Sequence, residues 1–261
     1  FVFSSHATGW LPAGYTITSY PTESKAPRMN SIGQTLTGKS GSYRGYEMDL
    51  RNFAAAFPMK FDYIMLDACL CGGIEVAYQL KDVCNKVAFS PTEVMAEGYD
   101  YKSITSRLLG RNGHDVTGVC EDFFAQYTVS SQPSPYCTSS AVDCTKLDAL
   151  ASVCGRIFES NREGMEHIDP DTVQGYFQYN WHWFYDLEDI VVKAVASAAE
   201  LKELREALDA CVICNLATER FLTIKILTHC GLSMYLPCNG SSTLDGYYRE
   251  LAWNKATGLV K

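Results

Sequence analysis

The feature that most restricts the fold of this chain lies between residues 61 and 90. Two short segments with successive apolar positions, "FDYIML" (61–66, apolar throughout 63–66) and "KVAFS" (86–90, apolar throughout 87–89), flank the segment "GGIEVAYQLKDV" (72–83). In that middle segment apolar residues return with the spacing of an amphipathic helix. A short run that is apolar at successive positions reads as a strand covered on both faces, the situation of a strand in a parallel sheet. Two such strands joined through a helix make a βαβ unit, and so an α/β fold with helices against a mostly parallel sheet. "FVFSS" (1–5) reads as the end of another buried strand.

The remaining segments pattern differently. Residues 11–47 are rich in Gly, Pro, Ser, Thr and basic residues, which reads as one long polar loop. Loops of that length usually carry function or lack order. "EMDLRNFAAAF" (47–57) has helical periodicity and is closed by Pro58. Helices are expected over 145–160, as one or two segments over 187–213, and over 244–254. "FLTIKIL" (221–227) and "GLSMYLP" (231–237) alternate like antiparallel partners across a short turn. The aromatic cluster "YFQYNWHWFYDL" (176–187) reads as core between two parts of the molecule. This divides the chain into an α/β core at 1–135 and a helical and antiparallel-strand portion at 136–261 packed on it.

Charge and cysteine content exclude some functions. The 261 residues carry a net charge of −8, and nothing here favours nucleic acid, which wants a clustered basic face. No run of 18 apolar residues spans a membrane. The eleven cysteines are an odd number, so at least one sulfur lacks an internal partner. One free thiol with five disulfides fits an oxidising compartment, and eleven reduced thiols fit a cytosol. Cys211-Val212-Ile213-Cys214 has the spacing of a zinc knuckle but no second Cys or His pair to complete one, so no metal site is expected.

The chemistry gathers where the front-half strands end. "FVFSS" delivers His6, "FDYIMLDA" delivers Cys69, and "KVAFS" delivers Ser90, Thr92 and Glu93. Open α/β sheets bind ligands beyond the carboxyl ends of their strands, so His6 and Cys69 are expected on one rim. Cys69 is read as preceding a helix start, where the helix dipole favours thiolate. The two make a nucleophile and its base. Cys71 falls in the helix turn and packs. His114, His182 and His229 are rival bases that topology places behind His6. Asp67 also stands where it could cap the following helix.

These segments together resemble the clostripain family of cysteine peptidases, in the caspase-like clan. "FVFSSHATGW" (1–10), "KFDYIMLDACLCGGIEVAYQLKD" (60–82), "VAFSPTEVMAEGYDY" (87–101), "GLSMYLP" (231–237) and "YYRELAWNKATG" (247–258) carry the likeness. The resemblance implies a caspase-like fold with strands upstream of residue 1. It implies an endopeptidase that cuts after Arg or Lys, with Cys69 as nucleophile, His6 as general base and acid, and backbone N–H groups of Ala7 and Cys69 as oxyanion hole. Asp67 and Glu97 would receive the basic side chain, and Glu93 would support the site. Lys25, Arg28, Lys39 and Arg44 are candidates for self-cleavage in the 11–47 loop. No cofactor is required, although the acidic loops are compatible with calcium. The implied partners are proteins or peptides bearing basic residues, met by a monomer exported to the periplasm, cell surface or medium. Two departures matter: Ala7 stands where the family usually has Gly, and Ser5 where it often has Asp. They support an alternative, a catalytically impaired relative that binds peptides.

Overall fold

The computed structural model describes residues 1–13, 15, 32–37, 44–110, 113–129, 134–178 and 182–261, with backbone alone at 34–37 and 44–47. In chain order the front-half strands are β1 (Val2–Ser4), β2 (Ile32–Thr37), β3 (Arg44–Met48), β4 (Phe61–Asp67) and β5 (Cys84–Phe89). Helix α1 (Leu50–Ala55) follows β3, α2 (Ile74–Leu80) joins β4 to β5, and α3 (Tyr101–Leu108) and α4 (Val116–Thr128) follow β5. The back half holds β6 (Thr138–Asp143), α5 (Leu147–Ser160), α6 (Arg162–Glu166), β7 (Tyr185–Asp186), α7 (Leu187–Lys193), α8 (Ala198–Cys211) and β8 (Val212–Ala217). Three two-residue strands, β9 (Arg220–Phe221), β10 (Ile224–Lys225) and β11 (Ser233–Met234), precede α9 (Ser242–Tyr248) and α10 (Ala252–Thr257).

Among the described residues one five-stranded sheet, in the order β1-β4-β5-β6-β8, organises the molecule. β1, β4 and β5 run parallel; β6 and β8 join antiparallel, so the sheet crosses residue 135 without a break. The unbroken apolar runs follow from cover on both faces. Ile64 and Leu66 enter the core on one face, with α2, α5 and α10, while Met65 between them enters the other, with Ile104 of α3 and Phe123 of α4. Val87 and Phe89 part from Ala88 in the same way. Each residue therefore meets apolar neighbours whichever way the pleat turns it.

Some segments differ from the sequence reading. The 11–47 stretch is not a single loop, because β2 pairs antiparallel with β3. The segments 221–227 and 231–237 do not pair with each other: β9 pairs with β10, and β11 pairs with β7. The helical region 187–213 divides into α7 and α8, with Ser197 and Glu200 forming a capping box at the start of α8. Residue 212 opens β8 rather than ending a helix. The aromatic cluster is core, with Tyr176, Phe177, Trp183, Phe184 and Tyr185 all buried. All eleven cysteines are free thiols; Cys84 and Cys144 bring their sulfurs to 3.7 Å, and Cys214 hydrogen-bonds Cys120.

Candidate active site

The register of β1 on β4 sets the site. Ser4 lies opposite Asp67, and the Ser5 N–H continues the ladder to the Asp67 carbonyl at 3.3 Å. The chain therefore leaves both strands at one level, with His6 two residues past Ser4 and Cys69 two residues past Asp67. A cleft of about 430 Å³ opens there, lined by Ser4, Ser5, His6, Asp67, Ala68, Cys69, Glu97, Gly98, Tyr101 and the 94–96 segment. His6 is exposed at its edge and makes no side-chain hydrogen bond among the described residues. The other histidines lie elsewhere: His114 faces Asp62 at 3.2 Å, His167 bonds the Glu163 carbonyl, and His182 and His229 are enclosed in the back half.

The turn after β4 explains the presentation of Cys69. Leu70 is held at φ 59, a left-handed conformation that side chains rarely adopt. Its N–H donates to Thr92 O at 2.9 Å, and the Gly72 N–H donates to Ser90 O at 2.8 Å. Gly9 packs so tightly that an added Cβ would lie 2.3 Å from the Leu70 carbonyl oxygen. The segment after His6 and the turn after Cys69 are thus pressed together. Because Leu70 and Gly72 donate within the fold, they cannot serve an oxyanion. The Ala7 and Cys69 N–H groups donate to no carbonyl among the described residues.

The reading of Cys69 as activated by a helix start is corrected. α2 begins at Ile74 with Gly73 as its cap, so four residues separate the sulfur from the helix. The residues from Leu70 to Gly73 form a turn, and the dipole of a seven-residue helix fades before reaching Cys69. Burial pushes the Cys69 thiol up to about 11, helped by the charges of Glu93 and Asp67; hydrogen bonding from Val94 and from its own backbone N–H pulls the other way. The sulfur accepts the Val94 N–H at 3.3 Å and faces the Val94 carbonyl at 3.6 Å. Cys71 also precedes the helix and is fully enclosed.

Asp67 does not cap α2, whose cap makes no side-chain bond. Asp67 is 7% exposed, lines the cleft, and accepts the Tyr101 hydroxyl on its carboxylate at 2.7 Å. Glu97 is exposed on the cleft wall. Glu93 is half-buried, accepts Gln178 Nε2 at 3.0 Å, and is raised by burial. Lys25, Arg28 and Lys39 lie outside the described residues; Arg44 begins β3. Sequence reasoning missed Tyr101, whose aromatic position at a helix start gave no sign of a carboxylate partner. Among the described residues no group of three His, Cys, Asp or Glu side chains converges to hold a metal ion, and no helix is long and apolar enough to cross a membrane.

A half-enclosed sulfur and an exposed imidazole at the ends of adjacent parallel strands are the groups that a cysteine peptidase of α/β architecture requires. The Clostripain family profile matches residues 44–258, and the chain belongs to that family. An inactive zymogen C11 protease from Parabacteroides distasonis is 25% identical, with a TM-score of 0.79 over 98% of this chain and 69% of that one. A clostripain from Bacteroides thetaiotaomicron, solved with the peptide inhibitor BTN-VLTK-AOMK, is 29% identical, with a TM-score of 0.70 over 85% of this chain and 99% of that one. A secreted C11 cysteine protease from Bacteroides thetaiotaomicron, iotapain, is 26% identical, with a TM-score of 0.77 over 98% and 70% of the two chains. No curated protein is matched by this chain.

Proposed function

We propose that this cysteine peptidase is an endopeptidase that cleaves after Arg or Lys, with Cys69 and His6 as its dyad. The observation that carries the reading is the shared cleft: His6, Cys69 and the recessed Asp67 all line one volume of about 430 Å³. A basic side chain entering it meets the Asp67 carboxylate, with Glu97 on the wall, and forms charge-assisted hydrogen bonds. The scissile carbonyl then lies above Cys69. His6 takes the thiol proton as sulfur attacks, and the Ala7 and Cys69 N–H groups receive the oxyanion. His6 returns the proton to the leaving amine, and water releases the acyl group. Glu93 holds the neighbouring segment through Gln178. The chemistry needs no cofactor. Export, action as a monomer, and self-cleavage at Lys25, Arg28, Lys39 or Arg44 belong to the same proposal; the secreted relative supports export.

A second reading, an impaired relative that holds basic peptides without cutting them, draws on the raised Cys69 thiol and on Ala7 and Ser5. A peptide probe with a basic residue and a thiol-reactive group separates the two. Labelling at Cys69, lost together with peptide cleavage in Cys69→Ala, supports the endopeptidase. Folded protein that binds basic peptides yet shows neither labelling nor cleavage supports the impaired relative.

A further inference from the structure

We infer that Tyr101 is a specificity-determining residue that turns the cleft toward lysine over arginine. The inference rests on the reading of Asp67 as the acceptor of a basic side chain. Two features restrict how a cation reaches that carboxylate. The Tyr101 hydroxyl donates to Asp67 Oδ2 at 2.7 Å, and the Ser4 hydroxyl stands against the phenol oxygen. On another side, the Gly98 backbone lies against the carboxylate: an added Cβ there would sit 3.1 Å from Oδ2 and 3.3 Å from Oδ1. Gly98 cannot drift away, because its carbonyl accepts both Gln126 Nε2 at 3.1 Å and the Tyr127 hydroxyl at 3.2 Å from α4. Asp67 as a whole is 7% exposed, with Oδ2 already bonded and no hydrogen bond to Oδ1 among the described residues.

Lysine and arginine differ in what they ask of such a group. An ammonium is a compact charge with three rotatable donors and is well served by one oxygen, with Glu97 or water taking the rest. A guanidinium presents a rigid planar fork, and its strongest contact is the parallel pair of bonds to both carboxylate oxygens. The phenol already takes one lone pair of Oδ2, one of the two oxygens that fork would use. Arginine therefore shares Oδ2 with the phenol, binds Asp67 through one nitrogen, or displaces Tyr101, whereas lysine loses little. The Coulomb attraction of Asp67 is the same for both, so the discrimination lies in hydrogen-bond geometry.

The test uses matched peptides that differ only at the residue before the scissile bond, carrying Lys, Arg or uncharged norleucine, with wild type and Tyr101→Phe. Thermal melting and titration of Cys69 with a thiol reagent establish that the variant is folded and has its sulfur available. Wild type is expected to favour Lys in kcat/KM. Tyr101→Phe is expected to shift the Lys-to-Arg ratio by about tenfold toward Arg, the scale of one charge-assisted hydrogen bond, chiefly through KM for the Arg peptide. Equal losses on both basic peptides assign Tyr101 a merely structural part and overturn the inference, as does a wild-type preference for Arg. Norleucine cleaved as readily as Lys and Arg removes the basic pocket itself, which is a distinct failure.

Discussion

Cys69 meets opposing demands from its neighbours. A thiolate needs solvent or positive charge, and this sulfur is half-enclosed and lies near the carboxylates of Glu93 and Asp67, so that its thiol is pushed up to about 11. The free enzyme is therefore expected to carry a thiol at neutral pH, with proton removal accompanying attack. In the proposed mechanism that task falls to the exposed His6. The checkable consequence lies in reactivity without substrate. Alkylation of Cys69 by iodoacetamide in the free protein should be slow at pH 7 and rise steadily to pH 10, with no plateau. A plateau beginning near pH 7 would indicate a preformed ion pair instead.

The turns that follow β4 and β5 act as one element. Leu70 and Gly72 donate to the carbonyls of Thr92 and Ser90. That strip is fixed in turn by Thr138 of β6, whose hydroxyl accepts the Thr92 N–H at 3.1 Å and bonds the hydroxyls of Ser90 at 2.8 Å and Thr92 at 2.9 Å. All three side chains are fully buried. Thr138→Val keeps the shape but removes the hub, leaving the Thr92 N–H without its acceptor. The expected cost is about 1–3 kcal/mol in urea unfolding, with a matching fall in kcat as the Cys69 turn loosens; unchanged stability would mean the network is dispensable. The same network shows where sequence reading stops. β4, α2 and β5 were legible because double cover demands unbroken apolar runs. β6, "TSSAVD", was not, because its buried hydroxyls look like a loop until their partners are known. β8 follows α8 with no Gly or Pro between them to mark the change. At the site, the rim bearing His6, Cys69 and Asp67 could be read from strand ends. The distance of Cys69 from the helix could not, since nothing in "CLCGG" announces a left-handed Leu70. Tyr101 meets Asp67 only because the 94–98 turn folds back on it.

Across the whole molecule, Glu75 joins the front half to the back. It lies fully enclosed in the first turn of α2, and its Oε1 accepts the Tyr235 N–H at 2.8 Å and the Tyr248 hydroxyl at 2.7 Å, while Oε2 has no partner among the described residues. Burial raises its carboxyl to about 7, against the two hydrogen bonds that favour the anion. The folded protein thus holds a proton that the unfolded chain releases near its ordinary value of 4.5. The contribution of Glu75 to stability is fully present below that value and lost as pH rises through about 7. His182 and His229 act in the opposite sense. Burial lowers both to about 4 from 6.5, so their contribution is lost as pH falls through that interval. The two effects oppose one another between pH 4.5 and 6.5, and above 6.5 the Glu75 effect remains as the histidines fall silent. Glu75→Gln keeps an acceptor for both tyrosines and has no proton to lose. The stability of the variant minus that of wild type should therefore climb from about pH 4.5 and level off beyond pH 7, reaching roughly 3 kcal/mol by linkage. Urea unfolding of both proteins at a series of pH values measures the difference directly. A difference that stays flat from pH 5 to 8 would show that Glu75 ionises as it does in water, and that the junction between α2 and the Tyr235–Tyr248 segment is open to solvent.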